Sequence, residues 1–418
     1  MEVKKKKIWL VNQYAMPPEF ESRIRTIKFA QYLTESGFDV TIFASSVMHN
    51  MNIDLITDGS SYIEKNYGII KFVHLKTIKH QGNGFSRFIG LLEFPLKLYF
   101  LRNKFEKPDI ILQTATVPFG NILYYCAKKL KSKYVVEVLD LWPESFVDLG
   151  LISKRNPLVK FSYIAEKWLY KKADALIFSM EGGKNYIKDK KWDIQNGGPI
   201  DLNKVFYINN GVDIRDFNFN VANYQLDDID LENDSIKRVV YIGSIRLANN
   251  IKELIGAAEE LKKYSDIKFL IYGNGDYREI LENYCIEKNL NNVIFKEKWI
   301  DPHYVPYLLS RSTINILNYK SGGFGKYGGS QSKLFQYLAS GKPICSNLKM
   351  MYGPINKYDL GIAKEFKSNK EYADAILYLV NLDDKRTSEI NVKAVNVANN
   401  FDYIGLTKNL ISIFKVID

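Results

Sequence analysis

The feature that most constrains this chain is its alternation of short apolar runs with amphipathic stretches of helical period. IWLVNQYA (8–15), DVTIFASS (39–46), DIILQTA (109–115), YVVEVLD (134–140) and ALIFS (175–179) are apolar runs of strand length, as expected of strands covered on both faces. Residues 22–36, which stop at Gly37, and residues 119–131 read as helices between them. A second series follows the polar, acidic stretch 216–236: strands at 238–244, 268–275, 293–298, 313–319 and 343–347, with helices at 250–264, 276–288 and 332–340. This rhythm predicts an α/β fold of parallel, doubly wound sheets. Two Rossmann-like halves are expected, joined near 206–236, with a last helix at 404–415.

At 418 residues, 46% of them apolar, the chain has material for two domains with sizeable cores. No apolar run is long enough to span a bilayer. The start, MEVKKKKIWLVNQY, lacks the longer apolar run and small-residue cleavage site of a signal peptide and reads as a basic lead into a buried strand. Cys126, Cys285 and Cys345 lie far apart, and His49, His74, His80 and His303 show no ligand spacing. Reduced structural thiols, a cytoplasmic location and no metal site are expected. Net charge is +11, and residues 1–205 hold 31 Lys and Arg against 21 Asp and Glu. So basic a first half points to an anionic partner, whether membrane lipid, a phosphorylated acceptor or nucleic acid, or else to a lysine-rich solubilising surface. Residues 85–107 mix large apolar side chains with Arg87, Lys97, Arg102, Lys104 and Lys107. They read equally as a basic helix lying in a bilayer interface or as a crossover helix packed on the sheet. Pro95 is expected to kink it.

In open α/β sheets ligands sit beyond the carboxyl ends of the strands, so the residues that follow each strand carry the functional reading. Arg23 and Arg25 follow the first strand and can grip phosphate or carboxylate, or line a solvated helix face. Asp140, Trp142 and Glu144 follow 134–140. Their carboxylates can accept sugar hydroxyls or move a proton, and the indole can stack on a sugar ring. The alternative is an N-capping Asp beside a buried Trp. In the second half, Gly243, Ser244, Arg246 and Asn250 follow 238–244, Gly273-Asn274-Gly275 closes 268–275, and Trp299 follows 293–298. Gly322-Gly323-Phe324-Gly325-Lys326 leads into YGGSQSKLFQYLASGKP (327–343). Here Ser330 and Ser332 are candidate N-caps, Leu334, Phe335 and Leu338 form a buried face, and the helix stops at Gly341. Lys333 at the helix start would add its ammonium to exposed N–H groups and the positive end of the helix dipole, a site suited to phosphate.

Taken in order, PPEFESRIR, DLWPES (140–145), INNGVD (208–213), YIGSIR (241–246), YGNG (272–275) and GGSQSKLFQYLASGKPI (328–344) resemble the family-4 retaining glycosyltransferases of GT-B fold. More narrowly, they are similar to the N-acetylfucosamine transferase-like branch that builds bacterial O-antigen and capsule repeats. The resemblance implies an N-terminal acceptor domain (1–208), a C-terminal nucleotide-sugar domain (209–400) facing it across a cleft, and a helix (401–418) crossing back. It implies a nucleotide-sugar donor, commonly UDP-linked, a polyprenyl-diphosphate-linked sugar acceptor at the inner membrane face, and no metal cofactor. Nucleic acid is not an expected partner. On this template Lys333 and Arg246 contact the phosphates, and Asp140 lies at a strand end that carries a catalytic-region residue. Gly243, Ser244, Asn250, Gly273, Asn274, Gly275, Trp299, Ser330, Ser332, Leu334 and Gln336 surround the nucleotide. Arg23, Arg25, Trp142 and Glu144 serve the acceptor. The family's two glutamates fall on Gly328 and Gln336, its Arg–Lys pair on Ser244 and Asn249, and its His on Leu139, and Pro17-Pro18-Glu19-Phe20 replaces a glycine-rich loop. Alternatives are a nucleotide-sugar epimerase on the same fold or an inactive nucleotide-sugar binder.

Overall fold

The computed structural model describes residues 5–20, 24–48, 51, 53–79, 85–148, 150–320 and 325–418, without the side chains of 85–88. Arg23, His49, His80, Arg87, and the Gly322, Gly323 and Phe324 of the approach loop lie outside that description. The chain divides into two compact units, residues 1–209 with 403–418, and residues 210–402.

Unit 1 is built on an eight-stranded sheet: β1 (Lys7–Val11), β2 (Asp39–Ser45), β3 (Tyr62–Tyr67), β4 (Ile70–Leu75), β5 (Ile110–Thr114), β6 (Lys133–Val138), β7 (Ala175–Phe178) and β8 (Val205–Tyr207). The spatial order is β3-β4-β2-β1-β5-β6-β7-β8, parallel except where β3 runs antiparallel to β4. The central strands are mainly apolar, as expected of strands covered on both faces: Ile8, Trp9, Leu10 and Val11 of β1 are all buried. β3 (YIEKNY) is a polar edge, and charge on an edge discourages pairing with other chains. Neither β3, β4 nor β8 was expected, since their short or polar runs carry little periodic signal. The helices Arg25–Glu35 and Tyr403–Ile417 pack together, with the Phe29 and Tyr403 rings edge to face at 5.7 Å and Leu33, Leu406, Leu410 and Phe414 in one buried cluster. The helix Phe85–Leu101 runs on through a buried Pro95. It buries Phe94 and Leu98 and exposes Ile89, Leu92 and Phe100.

Unit 2 holds β9 (Lys237–Ile242), β10 (Ile267–Tyr272), β11 (Val293–Phe295), β12 (Ile314–Leu317), β13 (Ile344–Ser346) and β14 (Gly361–Ala363). They are ordered β11-β10-β9-β12-β13-β14, and every pairing is parallel. This is the doubly wound order in which the chain reverses direction across the sheet after its third strand, so the topological switch lies between β9 and β12. The acidic stretch 216–236 is not a bare linker. Asp213 and Asp228 accept backbone N–H groups and cap the helices Ile214–Asn223 and Ile229–Glu232. Among the described residues, no helix is long and apolar enough to cross a membrane.

Candidate active site

The carboxyl ends of β9 and β10 are locked to one another by glycine. Gly243 donates to the Tyr272 carbonyl at 3.0 Å, and Ile245 to that of Asn274 at 2.9 Å. Gly243 (φ +141°) and Gly273 (φ +124°) adopt backbone conformations that L side chains resist. A Cβ on Gly273 would lie 2.0 Å from the Gly243 carbonyl oxygen, and one on Gly275 would lie 2.2 Å from that of Ile245. Asn274 is exposed and fixes its own turn by accepting the Gly275 N–H at 2.9 Å. Ser244 is exposed, and its carbonyl accepts the Tyr241 hydroxyl at 2.7 Å.

Lys333 closes over this floor. A Cβ on Gly243 would lie 1.9 Å from the Lys333 Nζ. The ammonium sits 4.8 Å from the centre of the Tyr241 ring and 3.4 Å from its hydroxyl. The lysine side chain is half-buried. Burial pushes its pKa down from 10.5 to about 8. Among the described residues no carboxylate forms an ion pair with it. A buried cation without an acidic partner is costly, and an arriving anion relieves that cost.

The helix that carries Lys333 spans Ser332–Ala339 and differs at its start from the expected capping. Its N-cap residue is Gln331, whose side chain makes no capping hydrogen bond. Neither Ser330 nor Ser332 is the cap, because a capping side chain must stand one residue before the first helical residue. The Ser330 carbonyl instead accepts the Asn210 side-chain amide at 2.7 Å, and Ser332 is exposed. The uncapped first turn leaves helix N–H groups beside the lysine, an anion-binding arrangement. Leu334 cannot offer its side chain to a nucleotide: it is buried in the core of unit 2, and its N–H donates to the Gln331 carbonyl at 3.0 Å. Gln336 is half-buried on the same helix, with no side-chain hydrogen bond among the described residues.

Arg246 is exposed, at the start of the short turn Leu247–Asn249. Asn250 is committed elsewhere. In left-handed conformation (φ +46°), it donates to Glu253 at 2.6 Å, and its carbonyl accepts from Asn318 at 3.0 Å. These bonds brace the loop and hold the side-chain amide against Glu253. Trp299 lies on the loop after β11 and is 73% exposed, available for stacking but not packed on the glycine floor.

Two of the unit 1 candidates are corrected. Arg25 is only 4% exposed. Its guanidinium pairs with Glu137 of β6 at 2.9 Å, donates to the carbonyls of Ile208 (2.8 Å) and Asn209, and lies over the Phe29 ring. With its donors held by the fold, it has no fork left for an acceptor. Glu144 accepts hydrogen bonds from Lys190 and from Tyr163 (2.5 Å). Burial pushes its pKa up, but those bonds and the lysine charge outweigh it and hold the carboxyl below its ordinary value. Glu144 thus belongs to a part-buried structural ion pair. Asp140, two residues beyond β6, is exposed, and Trp142 is partly exposed against the Phe146 ring at 4.4 Å.

Tyr241, the seat of the lysine, was not singled out from the sequence. Strand period two places it on the same face as Gly243, and that was the signal available. Gln331, whose side-chain oxygen is buried without a partner among the described residues, was also missed.

Gly243→Ala is expected to displace the Lys333 ammonium and weaken the binding of an anion held there more than about tenfold, with about 1–2 kcal/mol of backbone strain. Gly273→Ala meets backbone that cannot yield and should destabilise unit 2 by roughly 3 kcal/mol. Titration with UDP and thermal melts of both variants check this, and equal effects of the two on binding and stability would contradict it.

Two doubly wound units, with the nucleotide-type strand order in unit 2, make this a GT-B fold. Residues 226–393 match the model of the family described as glycosyl transferases group 1, which supports an enzyme of glycosyl transfer. Sucrose-phosphate synthase from Thermosynechococcus elongatus superposes with a TM-score of 0.71 at 14% identity, over 99% of each chain. The E. coli trehalose-6-phosphate protein bound with UDP-2-fluoro glucose gives 0.72 at 12% identity, over 97% of this chain and 98% of that one. Anabaena HepE in complex with UDP and glucose gives 0.65 at 13% identity, over 98% and 100%. At these identities the likeness is one of fold. No curated protein matches the sequence significantly.

Proposed function

We propose that this protein is a retaining glycosyltransferase that moves a sugar, of N-acetylated or deoxy type, from a UDP-sugar to a polyprenyl-diphosphate-linked sugar during capsule or O-antigen synthesis. The observation that carries the donor half of this reading is the Lys333 ammonium, buried on Tyr241 above Gly243 beside an uncapped helix start. A pyrophosphate placed there meets a cation that lacks a carboxylate partner among the described residues, together with several N–H donors. The leaving diphosphate gains negative charge as the glycosidic bond breaks, so groups fixed in advance around it lower the barrier. Arg246 adds an exposed second cation, and no metal ion is required in this scheme. UDP and UDP-2-fluoro glucose occupy proteins of the same fold, which favours uridine as the base. The acceptor hydroxyl attacks from the face the nucleotide leaves and gives its proton to the departing phosphate. Asp140 in unit 1 is the residue proposed to orient the acceptor.

The acceptor half rests on the basic first half of the sequence and on the motif resemblance. It places the protein on the inner face of the bacterial membrane. A thermal-shift screen of UDP-, GDP- and ADP-sugars tests the donor. A ligand present at 100 times its Kd stabilises the state it binds by about 2.7 kcal/mol, so a UDP-sugar should raise Tm while the others do not. No shift with any of them would overturn the reading. Binding of UDP-sugar without turnover on a lipid-diphosphate sugar would favour an inactive binder instead.

A further inference from the structure

The helix Pro157–Lys172 of unit 1 has an ordinary inner face. Val159, Ala165, Leu169 and Tyr170 are buried, and Glu166 accepts the hydroxyls of Tyr170 and Tyr186, each at 2.8 Å. Its outer face is not ordinary. Leu158, Phe161 and Ile164 are 74%, 57% and 67% exposed, and their spacing follows one side of the helix. Trp168 extends the stripe by a turn and stacks on the half-exposed Tyr125 ring at 5.8 Å. Leu151 and Ile152, just before the helix, are exposed as well. Charge in this segment is one-sided. Lys154, Arg155, Lys160, Lys167, Lys171 and Lys172 are its basic residues, and the one acid between 150 and 172, Glu166, is fully buried.

We propose that this face is a docking surface for an anionic phospholipid bilayer. The apolar stripe enters the boundary between headgroups and acyl chains while the lysine rim stays among the phosphates. The proposal deepens the membrane contact proposed above and rests on that reading for its choice of a bilayer. Charge complementarity decides the occupant. A second copy of the face would bring its like-charged rim against this one, which is unfavourable. On the helix Phe85–Leu101 the described cation is engaged: Lys97 binds Glu93 at 2.8 Å and the Lys76 carbonyl at 2.6 Å, and the neighbouring Arg102 lies over Tyr99.

Co-sedimentation of the full chain with vesicles of phosphatidylglycerol and phosphatidylcholine tests it. Wild type should pellet with the mixed vesicles and not with phosphatidylcholine alone. The triple variant Leu158→Ser, Phe161→Ser, Ile164→Ser should bind at least about tenfold more weakly. Lys160→Glu with Lys171→Glu should also lose binding. All three proteins should keep their melting temperature and UDP binding, since the altered residues are exposed and remote from the nucleotide residues in sequence and unit. If the triple variant pellets like wild type, the surface is misassigned. If wild type fails to bind anionic vesicles, the membrane reading falls with it, while UDP binding on the same samples reports separately on the transferase reading. A wild-type dimer in light scattering that the triple variant breaks would overturn the bilayer in favour of a second copy.

Discussion

Lys333→Met is expected to lower turnover about 100- to 1,000-fold, the loss typical of one fixed group that stabilises transition-state charge, without lowering the melting temperature. The two effects separate because the ammonium is costly to the empty fold. A lysine whose folded pKa, about 8, lies below its ordinary 10.5 destabilises the folded state. That cost is fully present below pH 8 and is relieved as pH rises from 8 to 10.5. Methionine removes it at neutral pH. The same shift predicts the pH dependence of binding. In the proposed site the charged form holds the diphosphate, and bound phosphate raises the lysine pKa, so above pH 8 binding takes up a proton. UDP affinity should therefore be flat near pH 7 and weaken above pH 8 by up to about tenfold per pH unit. Calorimetric titration in buffers of different ionisation enthalpy reads the proton directly. A variant with normal affinity and normal turnover would remove Lys333 from the phosphate site.

Arg25→Met is expected to destabilise unit 1 by about 3–5 kcal/mol, because it leaves Glu137 charged and unpaired in the interior. The carbonyls of Ile208 and Asn209 lose a donor at the same time. The corresponding thermal transition should fall on the order of 10 °C. Adding Glu137→Gln should recover part of the loss, since a neutral amide costs less to bury than an unpaired carboxylate. Melts of the single and double variants check this. A single variant with unchanged stability but impaired use of acceptor would return Arg25 to the acceptor site.

These two residues show what was legible. The sheets were readable because strands covered on both faces must be apolar, and that pattern is local. The helix start at Lys333 was readable for a similar reason: glycines, an amphipathic run and a basic residue stand within a few positions of one another. Arg25 was not, because its partner lies 112 residues away. A motif beside a strand end looks the same whether its guanidinium turns inward or outward. The clue was Glu137, a carboxylate in the middle of an apolar strand, which has to find a cation. Glu144 misled in the same way, with Lys190 46 residues distant. Leu334 and Asn250 sit inside strand-end motifs, but their side chains serve the core and the loop. Sequence pattern marks a segment more readily than the direction of each side chain within it.

The helix Tyr403–Ile417 carries one more consequence, which concerns synthesis. Its residues complete the core around Phe29 and Leu33, yet they follow the whole of unit 2 in the chain. The usual order, in which the first domain made is the first to fold, is therefore reversed. On the ribosome, unit 2 has all its strands before unit 1 has the helix that covers one face of its sheet. Until residues beyond Asp402 emerge, the apolar positions around Phe29 stay open to solvent or to whatever chaperone reaches them. A label or truncation placed at the far end of the sequence will thus act on the first unit to be made.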